Sequence, residues 1–200
     1  MNGLKAIVDM PEINAKILSI LGAKTDMATS LYDLSVGCFL QTVGAVVGFL
    51  ERGRVHCEEV GTDPDELVEV RLFPDMAPLR FQIVAVAHHS IGAIEGIERG
   101  SINSRPAAHQ PRDYAGLQKI ATNTEAALQA LTPAAVHALD GKEVALQSGE
   151  RTIPFTAGNF VLSFSLPNFH FHSTTAYDIL RVQGVPLGKR NYLGRLLTKA

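Results

Sequence analysis

The stretch "VGCFLQTVGAVVGFL", Val36 to Leu50, has no charged side chain and only Gln41 and Thr42 as polar amides or hydroxyls. At helical pitch it is apolar on nearly every side. A helix of that kind has to be wrapped by other helices, so it predicts a buried member of a bundle. Ser30 is placed to cap it, with Asp33 in the first turn near the positive end of the helix dipole. The helix is expected to run to about Glu51, where "RGRVHC" ends it. The 15-residue run is shorter than the ~20 residues that cross a bilayer. Gly44 and Gly48 then read as close helix packing in a soluble core.

The rest of the chain supplies partners for such a helix. "TDPDEL" starts a short helix, with Asp63 as cap and Pro64 at the first helical position. A long helix is expected from about Met76 to Arg99, with Leu79, Ile83, Val86, Ile94 and Ile97 on its core face and Gly100 stopping it. "SINSRPAAHQP" reads as a loop. Residues 112–131 form a third helix, and "TPAAVHAL" a short turn capped by Thr132. The period then changes. Val144 and Leu146 alternate, as do Ile153 and Phe155, around "QSGER"; that is a hairpin, and Pro154 restricts its strand to an edge. The last helix starts after Thr156 and ends near Gln183, before Gly184 and Pro186. Pro167 lies inside it and frees carbonyls one turn earlier. "GVPLGKRNYLG" follows as an extended segment anchored by Val185, Leu187 and Leu193; Lys189 and Arg190 are solvated there, or clamp an anion. The pattern predicts an all-α fold, a four-helix bundle with a small β-hairpin before the last helix. Residues 29–200 make this domain. Residues 1–28 make an N-terminal extension, in which Ile13, Ile17, Leu18 and Leu21 have the spacing of a short amphipathic helix.

Composition narrows the partners. The chain is 46% hydrophobic and 19% charged, which places it with globular rather than disordered chains. A net charge of −2 with no basic run, and no tryptophan for base stacking, exclude nucleic acid and anionic membranes as expected partners. Cys38 and Cys57 form no disulfide framework and no CxxC. Cys38 reads as a small core residue and Cys57 as an exposed one, and a reducing cytoplasm is the expected compartment.

The chemistry-bearing residues cluster on two helices. Counting ~100° per residue puts Ser165, Asn168, His172 and Thr175 or Ala176 on one side of the last helix, bracketed by Val161 and Ile179. A polar patch between apolar brackets predicts a pocket or a hydrogen-bonded network in the core. His170 points about 200° away by the same count, so it forms no chelate with His172. On the second long helix His89 shares a face with Gln82, Ala85, Ala93 and Gly96, whose small side chains let a neighbour approach. His88 shares a face with Phe81, Glu95 and Arg99, a rim side. His89 is therefore the expected inward histidine. His89 and His172 give at most two imidazoles where an ion needs three or more ligands; Asp75 or Asp178 could add a carboxylate, but nothing in the spacing demands it.

The segments "SLYDLSVGCFLQTV", "RLFPDMAPLRFQIVAVAHHS" and "LPNFHFHSTTAYDILRVQGVPLGKRNYLG" resemble one family over about Ser30 to Gly194: the domain-of-unknown-function family numbered nineteen ninety-three, within the DinB/YfiT-like superfamily of four-helix bundles. The resemblance implies a three-histidine divalent-metal site in many relatives, with one histidine on the second helix and two, four residues apart, on the last. Some of these relatives are thiol transferases or hydrolases. His89 and His172 match the first two positions, with His88 as an alternative to His89, and the remaining position is Ala176.

Three readings follow. One is a metal-free bundle whose pocket, around His89, Gln82, Asn168, His172 and Thr175, binds a small molecule or is non-catalytic. A second is a degenerate divalent-metal enzyme (Zn, Ni or Mn) with His89 and His172 as ligands. The third is an oligomeric module, a homodimer built on the apolar first helix and the N-terminal extension. The expectation is no cofactor and a small-molecule ligand.

Overall fold

The computed structural model describes residues 30–106, 111, 113–196 and 198. The amphipathic helix expected within residues 1–28 lies outside them. Helix α1, Asp33–Val60, opens with a wide π-turn, Asp33–Gly37, and closes on Gly61 in the left-handed conformation. It continues past Glu51, where the sequence predicts an end. Gly53, the weakest helix former in that stretch, is retained because the Tyr114 hydroxyl packs against its Cα and donates to the Leu50 carbonyl at 2.8 Å. The extension buries Cys57, 3% exposed, whereas Cys38 is half-buried, the reverse of the expected pair. By length and composition alone α1 could cross a membrane (mean hydropathy 1.6), but half of its apolar window is buried inside the fold, as in a core helix. Val36, Phe39, Val43, Val46 and Leu50 form its completely buried stripe.

After a 3-10 turn at Pro64–Leu67, whose cap Asp63 accepts from the Asp65 amide at 2.9 Å, the long second helix of the prediction is broken in two. Helix α2 spans Leu79–His88 and α3 spans Ile91–Arg99. The break is local chemistry. His89 leaves helical geometry (φ −88°, ψ 4°), and the Ser90 hydroxyl turns back onto the Val86 carbonyl at 2.7 Å, competing with the helix ladder. Gly100 stops α3 as expected, and the next residues are not loop but strand β1, Ser101–Asn103. Ile102 of β1 packs onto α3 at Gly96, where a Cβ would come within 2.8 Å of it.

Helix α4, Tyr114–Ala130, and the short α5, Pro133–His137, lead to strands β2, Glu143–Ser148, and β3, Arg151–Thr156. The hairpin is antiparallel, and β1 joins β2 in parallel to make the order β1-β2-β3. Pro154 lies on edge strand β3, opposite Ala145.

The last helix, α6 (residues 157–182), is capped by Thr156 and stopped at Gly184, φ 91°. One turn before Pro167 it widens into a π-turn, Val161–Ser165, in which the Leu166 amide reaches the Val161 carbonyl. This is where the proline removes the regular donor. Helix α7, Lys189–Leu193, replaces part of the expected extended tail. Its Tyr192 hydroxyl lies 3.0 Å from Thr174, and the Leu193 carbonyl accepts from Gln41 of α1 at 2.8 Å. Lys189 and Arg190 are exposed. The bundle closes as a ring: α1 packs on α4, α4 on α2, α2 on α6 and α6 on α1.

Candidate functional site

Two irregularities of the backbone meet inside the ring. The break after α2 leaves the His89 carbonyl without a helical partner, and the hydroxyl of Ser165, last residue of the π-turn, donates to it at 2.7 Å. This contact sets α6 against the break. His172, two turns along α6, then lies beside His89, with ring centroids 5.6 Å apart and planes within 6° of parallel.

Gln82 orients His172 within the pair. Its Nε2 donates to the Ala77 carbonyl at 2.8 Å, which turns Oε1 toward His172. An amide oxygen only accepts, so His172 Nδ1 carries the proton and donates across 2.7 Å. The His172 lone pair is therefore on Nε2. His88 is held in the same way: its Nε2 donates to the Asn103 carbonyl of β1 at 2.8 Å, leaving Nδ1 bare. His89 itself is 2% exposed, and its Nδ1 is buried with no hydrogen-bond partner among the described residues.

The three rings are uncharged near neutral pH. Burial pushes the His89 imidazole down to about 3, helped by His88 and His172. Burial, with His88 adding to it, pushes His172 down to about 4. Burial also lowers His88, against the raising effect of the Asn103 carbonyl.

Aromatic rings enclose the cluster. Phe81 and Phe171 pack edge-wise on His172 at 5.7 and 5.3 Å, and Phe164 packs on His89 at 5.5 Å. Phe171 is 56% exposed.

The structure thus joins His89, His172 and Gln82, as the helical faces predict. It does not tie the other two expected pocket residues to them: Asn168 donates to the Phe164 carbonyl at 2.7 Å and Thr175 to the Phe171 carbonyl at 2.8 Å, both within α6. Asp75 is exposed. His170, also exposed, packs on Phe169. His88, assigned to the rim by face counting, belongs to the cluster. Neighbouring residues diverge by ~100° only while a helix continues; at this break the His88 and His89 rings come to 4.9 Å. The signal for it is Ser90 and Gly92, two weak helix formers directly after the histidine pair.

An ion of the kind the resemblance implies needs three converging donors. Ala176, a turn beyond His172, is fully buried and offers none. Among the described residues no group of three or more His, Cys, Asp or Glu side chains is placed to hold a metal ion. Among the described residues the three-histidine set that the resemblance implies is not complete.

A bundle of four helices with a small sheet before the last is the DinB type of fold. A crystal structure of a DinB family member protein from Shewanella denitrificans superposes with a TM-score of 0.70, covering 85% of this chain and 95% of that one at 24% identity, which establishes the fold and no more. Within that class the family model for a domain of unknown function, DUF1993, matches residues 31–193, and the chain belongs to that family. Comparison with curated proteins gives no match.

Proposed function

We propose that this protein binds a small organic molecule between α2 and α6, at the imidazole cluster of His88, His89 and His172, and that it does so without a metal. The observation that carries this reading is the buried His89 Nδ1, which has no partner among the described residues. A buried polar nitrogen left unpaired costs about 1–3 kcal/mol. Natural proteins rarely keep one without a use, and a bound molecule or water that supplies the missing hydrogen bond is the ordinary use. The bare His172 Nε2 provides a second polar contact close by. Clefts between bundle helices that combine apolar walls with a few fixed polar atoms are where such ligands bind.

The test is a titration of the full chain at pH 8 with a panel of neutral polar molecules, following the Cε1–H signals of His89 and His172 by NMR. Saturable shifts that vanish in Gln82→Leu are the expected result. Metal analysis of untagged protein runs beside it. One equivalent of Zn, Ni or Mn that is lost in His172→Ala would overturn the metal-free reading, and a panel that moves neither signal would overturn ligand binding.

A further inference from the structure

Resting on that reading, we infer that the bound molecule is neutral and carries a flat aromatic ring, which lies against Phe171 and presents an N–H or O–H to the histidines. Phe171 is the first reason. It is more than half exposed, yet it stands directly against His172 at 5.3 Å, with Phe81 on the same imidazole at 5.7 Å. A large exposed apolar ring beside the histidine cluster gains by being covered, and an aromatic partner adds edge or offset-stacking contacts to the simple burial.

Charge is the second reason. Every hydrogen bond described for the cluster runs between neutral groups: His172 with the Gln82 amide, His88 with the Asn103 carbonyl, and His89 through its own carbonyl with Ser165. The ion pairs lie elsewhere, at Glu51–Arg54–Glu58, Glu69–Arg80 and Glu95–Arg99. An ionised ligand group would lose its water here and meet no opposite charge within the cluster, which is strongly unfavourable; the cation felt there, Arg99 beside His88, is exposed and paired with Glu95. The imidazoles offer no compensation because burial keeps them unprotonated.

The polar end follows from the tautomer. Gln82 holds the proton of His172 on Nδ1, so Nε2 is an acceptor and calls for a donor on the ligand. The inner His89 nitrogen, unpartnered and buried, sits one ring further in. A planar molecule with a ring N–H supplies the donor that His172 Nε2 calls for; a small aliphatic polyol has no ring to lay against Phe171.

Benzimidazole, cyclohexanol and glycerol serve as probes at pH 8, each titrated into the full chain with the Cε1–H signals of His89 and His172 as readout. Benzimidazole is expected to shift both signals saturably, and to bind roughly three- to tenfold more weakly in Phe171→Ala, the range for loss of an aromatic pair. Phe171 is exposed, so that variant keeps its fold, which its thermal midpoint verifies. If cyclohexanol or glycerol binds as tightly as benzimidazole, the aromatic class is wrong while the pocket stands. If Phe171→Ala binds benzimidazole unchanged, the ring has no such role. If benzimidazole moves neither signal while another neutral molecule does, the ligand class falls alone; if nothing moves them, the binding site falls with it.

Discussion

The hydroxyl of Ser165 donates to the main-chain carbonyl of His89 across 2.7 Å, and both groups are buried. The contact pairs the break between α2 and α3 with the wide turn of α6, so two local departures from regular helix compensate one another. Ser165→Ala removes the donor and leaves a buried carbonyl bare. The expected cost is about 1–3 kcal/mol, read by urea unfolding. Because the bond also sets the position of α6, the Cε1–H signals of His89 and His172 should move together in this variant. A change of stability with both signals unmoved would mean that the contact does not position the rings.

Gln82 and His172 are predicted to act as a unit. Gln82→Leu leaves the His172 Nδ1 proton without an acceptor and should destabilise by about 1–3 kcal/mol. Replacing both, as Gln82→Leu with His172→Phe, removes donor and acceptor together, and the double variant should lose less than the sum of the singles. Strictly additive losses would place the two side chains out of contact.

The pH dependence follows from the neutral rings. His89 and His172 are lowered from the usual 6.5 to about 3 and about 4, so the unfolded chain takes up protons before the folded one does. Stability is present in full above pH 6.5 and is lost as the pH falls from there toward the folded values. Each ring contributes a slope of up to about 1.4 kcal/mol per pH unit in that window. Urea midpoints from pH 8 to pH 4.5 measure it. His172→Phe should flatten the slope, and a stability that rises on acidification would contradict the assignment.

Tyr114 and Gly53 are matched by size. A Cβ at Gly53 would collide with the Tyr114 hydroxyl, which donates to the Leu50 carbonyl. Tyr114→Phe should cost about 1 kcal/mol for the lost hydrogen bond. Gly53→Ala should cost more, and adding Tyr114→Phe to it should restore part of the loss, since the phenyl ring lacks the clashing oxygen. Thermal midpoints of the three variants decide this; no recovery in the double variant would show that the collision is not the cause.

The features legible in the sequence are those with local causes. Asp63, Thr132 and Thr156 cap as their positions predict, Gly100 and Gly184 end helices, Pro154 takes an edge strand, and Pro167 produces irregularity one turn ahead of itself. Strand β1 is not legible, because its three residues are held by parallel pairing to β2, some forty positions later. Nor is the continuation of α1, since Gly53 is tolerated only through Tyr114, which arrives from α4. In the histidine cluster, helical face counting brings His89, His172 and Gln82 together. It does not bring in His88, because the count assumes an unbroken helix.

Binding at the cluster requires His89 and His172 to stand uncharged, with the proton of His172 fixed on Nδ1 by Gln82 and nitrogens left open to a ligand. A long-range proton–nitrogen correlation spectrum of the histidine rings in untagged protein at pH 7 reads this directly. Two neutral rings, a protonated Nδ1 and an unprotonated Nε2 on His172, and no change on adding Zn²⁺ are the expected result. A doubly protonated ring at either position, or nitrogen signals displaced stoichiometrically by Zn²⁺, would contradict it.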